Sequence, residues 1–570
     1  MSELLVTVSL IFIIIGPFLL VASRFKLPTV PFLIFAGVVA GFFIDETLTL
    51  ELAQYGIALL VFTFGIGIDP KGFRPVLGDS EAAALGQILV VGGFGFGLGL
   101  LFGVPPGEAF YLGIAVAFSS TIVGTALLQT ELRENFTHAR LARTIQVIQD
   151  LLAIVILLVI GAGTFAVEPI ITQFAYGVSL LFIAILTHSY LFDSLGRFAG
   201  DSDELVIIGA VSLLVVFLAA AELAGISMVV GAFAAGLAVR HDPVEHLGLF
   251  NGLFSIRDFF VAIFFVTIGA LVVVPFIELG WADSLETLLL VGCLAVLTAV
   301  VKPLVTTAIL VYNGYGARSA TLTSLSTDQM SEFALIIAIE ALILGLLSQR
   351  VFDAIILAAA VTMVTSSLTH RHNERIYRAV TDLGLTFESH EKIDELSTIT
   401  EGCVDHIIIV GYGRTGQQLA RTCENQDQPF VIIENDPAVF DDVSSDCEAY
   451  VFGDAMEQYT WEKANVEDAK LVISTVNSEP VSYRLLSFKF GADLILRTDD
   501  VKTALDFFEK GAIYVNVSEF LAGEQLVQHL QELFDGNLTP EELREKRLTS
   551  LEKYAAITQR GKRAAFGSNP

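Results

Sequence analysis

Four ionisable side chains lie inside stretches that are otherwise apolar. Asp150 stands in Ile145-Gln-Val-Ile-Gln149-Asp150-Leu-Leu-Ala, and Lys302 in Val300-Val-Lys302-Pro303. Asp328 and Glu332 share the segment Ser324-Leu-Ser326-Thr327-Asp328-Gln329-Met-Ser331-Glu332-Phe333, where an offset of four residues would put both acids on one helix face. An ionisable group at bilayer depth costs on the order of 3 kcal/mol, so each is a functional candidate. A carboxylate there can take up a proton or a cation. A buried lysine can pair with a carboxylate, exchange a proton, or bond backbone carbonyls freed next to Pro303. Gln149 is uncharged, so its segment offers one titratable carboxylate rather than two. A further polar stretch, Phe118-Ser119-Ser120-Thr121-Ile-Val-Gly124-Thr125, adds hydroxyls to an apolar context. Hydroxyls, amides and glycine allow a helix to unwind within protein at membrane depth.

A second constellation has different chemistry. His406-Ile-Ile-Ile-Val410 reads as a buried strand running into Gly411-Tyr-Gly413-Arg414-Thr415-Gly416 and then a helical stretch. A second strand, Phe430-Val-Ile-Ile433, ends in Glu434-Asn435-Asp436, with the acid 18 residues past the last glycine. Glycines in this context let backbone approach phosphate at a helix N-terminus, while Glu434 can take ribose hydroxyls. An acid there disfavours a 2′-phosphate, so AMP or NAD(H) is expected rather than NADP(H). Gly453-Asp454-Ala455 ends a third strand, where open α/β sheets bind ligands. No catalytic constellation accompanies these residues, so the nucleotide is expected to regulate rather than to react.

The elements that must hold these groups follow from composition. Of 570 residues, 54% are hydrophobic and only 17% charged, with mean hydropathy +0.68. A soluble globular chain carries about 25% charged residues, so a soluble enzyme, a secreted disulfide scaffold and a disordered tail are excluded. Thirteen spans are expected, at 3–22, 28–44, 52–68, 82–103, 109–129, 140–163, 170–192, 203–223, 227–240, 252–277, 284–313, 319–346 and 350–370. Many spans and no basic n-region make the first a span rather than a cleaved signal. With the N-terminus outside, fourteen of the sixteen basic residues up to Arg378 fall on the cytoplasmic side, and the C-terminal region is cytoplasmic too. Interrupted spans in each half point to inverted repeats around a midplane site. The expected division is a transmembrane domain at 1–378, a linker at 379–404, a nucleotide-binding domain at 405–522, and a crossover helix with mobile tail at 523–570. The four cysteines show no CxxC spacing, so neither a metal site nor a disulfide frame is indicated. A net charge of −29 argues against nucleic acid as a partner.

The membrane half resembles the second monovalent cation:proton antiporter family, and within it the Kef-type, glutathione-regulated potassium efflux branch. The residues that carry the resemblance are Ser119-Ser120-Thr121, Gln149-Asp150, Phe264-Phe-Val-Thr-Ile-Gly269, Lys302-Pro303 and Gln329-Met-Ser-Glu332-Phe-Ala, in the expected order along the domain. The resemblance implies a sodium/proton antiporter fold, in which a core domain with two crossing broken helices moves against a dimerising scaffold. It implies that Asp150 binds a proton or a cation but never both, with Gln149, Ser119, Ser120, Thr121, Lys302, Asp328 and Glu332 completing the ion and proton site. Electrogenic members carry two adjacent carboxylates where this chain has Gln149-Asp150, which points to electroneutral exchange and to potassium. The Kef-like segment usually reads Gln-Gly-Gly-Glu-Phe, so Met330 and Ser331 are expected to alter that helix break. Residues 400–520 resemble the RCK, or TrkA-N, nucleotide-binding domain. Arg497 resembles a basic residue of the Kef regulatory site and is a candidate contact for a regulatory ligand.

These observations predict a homodimeric, multi-pass K+/H+ antiporter of the cell inner membrane, exporting potassium, regulated by AMP or NAD(H). The alternatives are a nucleotide-gated potassium channel and a Na+/H+ antiporter of the same fold. A channel calls for a filter such as TVGYG, whereas the only GYG on the membrane side of the chain, Gly314-Tyr-Gly316, lies in a loop after the eleventh span without the preceding Thr-Val. An anchored dehydrogenase would need a substrate domain and a catalytic set that the sequence does not display.

Overall fold

The computed structural model of the protein describes residues 3–44, 46–67, 77–133, 136–161, 167–191, 203–239, 247–383, 390–399, 404–436, 439–488, 491–545 and 547–549. By its internal contacts the chain divides into two units. One comprises residues 1–129, 138–313 and 319–386; the other comprises 130–137, 314–318 and 387–570.

The first unit is helical. Nine helices among its described residues are long and apolar enough to cross a membrane, and Thr29–Ala40 and Met228–Ala238 are shorter apolar helices. With lipid outside, helices gain little from hydrophobicity alone and associate by close backbone approach at small residues. The helix Thr29–Ala40 meets Leu247–Ala270 in this way. A Cβ at Gly37 would lie 2.1 Å from the Val266 carbonyl oxygen, and one at Gly269 would lie 2.1 Å from that of Ile34. Gly269 of the Phe264–Gly269 motif is therefore a packing residue.

A repeated order of elements positions the polar segments. A long helix containing a π turn, Gln87–Val91, leads into Pro106–Ala117, an extended stretch at 118–120, and a second half-helix, Thr121–Leu127. Another helix containing a π turn, Leu297–Val301, leads into Ala317–Leu325, a non-helical stretch at 326–331, and the half-helix Glu332–Ile343. Each broken helix precedes an unbroken one, Thr137–Ile160 and Gln349–Arg371 respectively. π turns re-aim side chains within a helix, and here they bring in Gln87 at the start of one and Lys302 directly after the other.

The second unit is built on a six-stranded parallel sheet: β1 (His406–Val410), β2 (Phe430–Glu434), β3 (Tyr450–Phe452), β4 (Ala469–Ser474), β5 (Asp493–Thr498) and β6 (Tyr514–Val517). The strand order β3-β2-β1-β4-β5-β6 is that of a doubly wound dinucleotide-binding fold. Every residue of β1 is buried, as a central strand covered on both faces requires. A helix spans Ser518–Phe534, beginning inside the stretch 405–522 that the sequence reading gives to the nucleotide-binding domain. The basic tail Arg560–Arg563 lies outside the described residues.

Candidate functional site

Breaking two helices in an apolar interior frees backbone groups that must find partners within the protein. The half-helices that follow the breaks are capped by hydroxyls. The Ser120 Oγ accepts from Val123 N at 3.1 Å, and the Ser331 Oγ accepts from Phe333 N at 2.9 Å. None of residues 326–331 has a positive φ, so Met330 and Ser331 are accommodated without strain and Ser331 serves as an N-cap. Lys302 joins the two breaks: its Nζ donates to Phe118 O at 3.0 Å and to Gln329 O at 2.8 Å. The Ser119 Oγ donates to Thr327 O at 2.9 Å, and the Gln329 Nε2 to Ser120 O at 3.2 Å. The bonding of freed carbonyls is thus one role that Lys302 fills, and Asp328 lies within reach of its charge.

Asp150 is completely buried on Thr137–Ile160, beside this crossing. The Thr121 hydroxyl donates to its Oδ2, and its Oδ1 has no hydrogen-bond partner. Glu332 approaches from the other broken helix closely enough for its charge to act on Asp150. Its Oε1 accepts from Ile122 N at 3.0 Å, and its Oε2 is unpartnered. The consecutive residues Thr121 and Ile122 thus hold two carboxyls from two different helices. Sequence reasoning found one carboxylate in the Gln149-Asp150 segment; the fold supplies the second from elsewhere in the chain.

Asp328 and Glu332 do not share a helix face. The offset of four would align them only on a continuous helix, and Asp328 lies in the break while Glu332 opens the half-helix that follows. Asp328 sits among Ser366, Thr369 and Lys302, with neither oxygen hydrogen-bonded within ordinary distance.

Gln149 is a brace. Its Oε1 accepts from Ser119 N at 2.9 Å, and its Nε2 donates to Gln87 Oε1 and to Ala117 O. Gln87, missed in the sequence reading, is fully buried and donates to Thr306 Oγ1 at 2.5 Å and Thr327 Oγ1 at 3.3 Å. A lone glutamine in an apolar run, at Ser80–Leu101, was the signal that could have found it.

In the other unit, Gly411 follows β1 with φ of +91°, where a side chain would be strained. A Cβ at Gly416 would lie 2.0 Å from Gly411 O, so the helix Arg414–Asn425 can start there only with glycine. Gly413 is its N-cap, and Arg414 and Thr415 form its first turn. The Glu434 carboxylate pins the turn: its Oε2 accepts from Tyr412 N at 2.6 Å, and its Oε1 from Asn435 N at 2.8 Å and Asp436 N at 2.9 Å. A cavity at the C-terminal ends of β1 to β4 is lined by Gly411, Glu434, Asn435, Gly453, Asp454 and Ala455, together with apolar Val410, Val476 and Val481. Asp454 is buried; its Oδ1 accepts from Met456 N at 2.9 Å and its Oδ2 is unpartnered. This crevice lies at the switch point between β1 and β4, where a nucleotide fits by the general rule for such sheets. Arg497 is not among the lining residues; it lies on β5 with its guanidinium on Thr475 O at 3.2 Å. Burial pushes the Cys447 thiol up to about 11, which makes it a protonated core group rather than a nucleophile.

Residues 8–371 match the family described as sodium/hydrogen exchanger, transmembrane, and residues 407–507 match the TrkA-N domain. The Escherichia coli (strain K12) protein YbaL, named as a cation/proton antiporter, is 26% identical over 485 residues, covering 80% of this chain and 84% of its own. The KefB protein of Alkalimonas amylolytica, named as a K(+) efflux antiporter, is 25% identical over 511 residues, covering 86% of this chain and 75% of its own. The structure of the sodium proton antiporter MjNhaP1 from Methanocaldococcus jannaschii aligns over 66% of this chain and 99% of its own with a TM-score of 0.51, at 14% identity, which establishes the shared fold.

Proposed function

The chain belongs to the sodium/hydrogen exchanger family, and from that premise we propose that it exports K+ in electroneutral exchange for H+, by alternating access at Asp150, under control of an adenine nucleotide, AMP or NAD(H). The observation that carries the reading is the Asp150 carboxyl, buried where two broken helices cross, with one oxygen held by Thr121 and the other free. A bare carboxylate in such a place pays a large desolvation cost, so passage through an occluded state favours the neutral forms, protonated or cation-bound. Exchange follows, because one neutralising partner must leave before the other enters. Glu332 has an oxygen committed to Ile122 N and Lys302 is committed to two carbonyls, which leaves Asp150 as the exchanging group and supports one charge in for one charge out. The names of the YbaL and KefB relatives support a cation/proton antiporter and, for KefB, potassium.

The cytoplasmic reading rests on the glycine turn, Glu434 and the crevice above β1 and β4. The distribution of basic residues supports an external N-terminus and a cytoplasmic C-terminal domain in the cell inner membrane. A homodimer, with domains at 1–378 and 405–522 joined by a linker at 379–404 and followed by a crossover helix and tail at 523–570, completes the proposal.

The test is proton flux in proteoliposomes under an imposed K+ or Na+ gradient with the membrane potential clamped. K+-driven flux that disappears in Asp150→Asn is expected. Flux driven by Na+ alone would change the ion and keep the mechanism. Potassium movement that follows voltage without proton coupling would replace the antiporter with a channel.

A further inference from the structure

Two sets of helices within the first unit are each fastened internally. Thr29–Ala40 meets Leu247–Ala270 backbone to backbone at Gly37 and Gly269. Glu46–Ile66 meets Met228–Ala238 in the same way, since a Cβ at Gly236 would lie 2.1 Å from Phe62 O. Glu3–Phe25 packs on Thr29–Ala40 and Glu46–Ile66 on Leu247–Ala270, so these five helices form one bundle. The crossing of the broken helices, joined by Lys302, Ser119 and Gln329, is a second body. The helix Gln349–Arg371 touches both. It is bonded to the crossing: Met330 N donates to Thr362 Oγ1 at 3.3 Å, and Ser366 Oγ donates to Gln329 Oε1 at 3.0 Å. Toward the bundle it packs on Thr29–Ala40, which has no polar side chain after Thr29. Polar ties to the bundle stand at its two ends. At the start, Gln349 Nε2 donates to Leu271 O and to Asp353 Oδ1, both at 2.8 Å, and Asp353 Oδ1 also accepts from Val273 N at 3.2 Å. Leu271 and Val273 directly follow Leu247–Ala270, and Asp353 is buried. At the far end the tie is exposed, with Arg371 Nη2 donating to Phe25 O at 2.6 Å and to Lys26 O.

We propose that Gln349 and Asp353 are positioning residues of the transport cycle. They form a latch whose bonds to Leu271 O and Val273 N hold one access state and break when the Asp150 site opens to the opposite face. The inference rests on the reading of alternating access at Asp150, which needs the crossing to move against a part that stays. Packed apolar helix faces can shift past one another by small sliding motions. A hydrogen bond cannot follow such a shift for more than a fraction of an ångström, because its geometry is narrow, so it holds or it breaks. The tie at Arg371 is exposed, and water can take its place. The tie at Asp353 belongs to a buried carboxylate, so its making and breaking discriminates more strongly between the two states. The latch also stands where the two bodies are joined along the chain. Residues 271–280 lead from the bundle to Trp281–Val296 and on to Lys302.

The experiment measures K+-driven proton flux of the full chain in proteoliposomes. Val273→Cys and Asp353→Cys are combined in a parent whose Cys293, Cys403, Cys423 and Cys447 are replaced by alanine. A short bis-methanethiosulfonate then bridges the pair. Exchange is expected to fall to the level of empty liposomes and to return when dithiothreitol removes the bridge, while each single-cysteine protein keeps its flux under the same treatment. Undiminished exchange in the bridged protein would make the contact a fixed joint and overturn the latch, leaving the proposed function standing. Asp353→Ala in the native chain gives a second reading that needs no cysteines. Weakening the latched state lowers apparent K+ affinity on the face to which that state opens and raises it on the other. The K+ concentrations at half-maximal rate, measured from the two faces, are therefore expected to move in opposite directions. Each shift should reach about fivefold, the equilibrium worth of a net hydrogen bond. Should the alanine variant fail to fold, Gln349→Leu removes the bond to Leu271 O and carries the same expectation. A lowered melting midpoint with both concentrations unmoved, or moved in the same direction, would reduce the pair to a structural contact and overturn the inference. A wild-type protein without cation-driven proton flux would take down the alternating-access reading, and the latch with it.

Discussion

The candidate ion site and the candidate nucleotide crevice solve the problem of polar groups in different ways. Around Asp150 the work is done by side chains. Ser119, Gln149, Gln87, Lys302 and Gln329 each pair with a group freed by a helix break, or with one another. Around the crevice the close approach is made by backbone at Gly411 and Gly416, and a single side chain, the Glu434 carboxylate, holds three amides. The cause is the solvent. Within the hydrocarbon layer no water can satisfy a stray N–H or C=O, so every orphan needs a dedicated partner. At the mouth of a parallel sheet water can serve instead. An unpartnered oxygen therefore means more in the first region than in the second. In the membrane unit the unpaired carboxyl oxygens of the site belong to Asp150, Asp328 and Glu332.

The largest expected effect tests whether that distinction is functional. Asp150→Asn keeps the shape and the hydrogen bond to Thr121 but cannot ionise. Exchange is expected to fall to the level of empty liposomes while the protein purifies and melts as the wild type does. Retained cation-dependent proton flux would remove Asp150 from the carrier role.

Next in size is Lys302→Ala, which separates exchanging groups from bracing ones. It leaves Phe118 O and Gln329 O without their donor, and unsatisfied buried carbonyls cost about 1–3 kcal/mol each. The expected outcome is a thermal midpoint lowered by several degrees, with whatever transport survives keeping its pH profile. A normal midpoint with a displaced pH profile would put the lysine among the exchanging groups and blur the division drawn above.

Glu434→Ala tests the other region. It removes the acceptor of three backbone N–H groups and the candidate ribose contact together. AMP affinity is expected to fall about tenfold by calorimetry, equivalent to about 1.4 kcal/mol, with the Asp150 site untouched. Unchanged affinity would leave the crevice as a fold feature without this ligand.

The sequence was most legible where chemistry and local structure coincide. The Gly411–Gly416 turn, its flanking strands and Glu434 could be read directly, because each glycine answers to a backbone demand within a few residues. The two interrupted helices were visible from hydroxyls and acids in apolar runs. What sequence could not supply was which group faces which across long separations. Glu332 joins Asp150 from 182 positions further along the sequence, and a helical offset misdirected Asp328 because a broken helix has no single face. Gln87 carried no motif. A polar residue in an apolar span is common enough to pass unnoticed until a third dimension gives it neighbours.

Gln87 offers the finest test of the comparison, because it braces the brace. It touches neither Asp150 nor Thr121 in the hydrogen-bond network; it accepts from Gln149 and donates to Thr306 and Thr327. Gln87→Leu removes those three bonds at similar volume. The partners left behind are not stranded: Gln149 still donates to Ala117 O, the Thr306 hydroxyl still donates to Lys302 O, and the Thr327 hydroxyl to Ser324 O. The penalty should therefore stay near the net worth of a single hydrogen bond, about 1 kcal/mol, rather than that of a buried orphan. In flux terms the expected outcome is a maximal exchange rate lowered roughly threefold to fivefold, with the K+ over Na+ preference and the K+ concentration at half-maximal rate unchanged. A change of ion preference would mean that the glutamine frame shapes the cation's own coordination. A loss as complete as in Asp150→Asn would make Gln87 and Gln149 part of the exchanging site, and the line between groups that exchange and groups that hold would have to be redrawn around both.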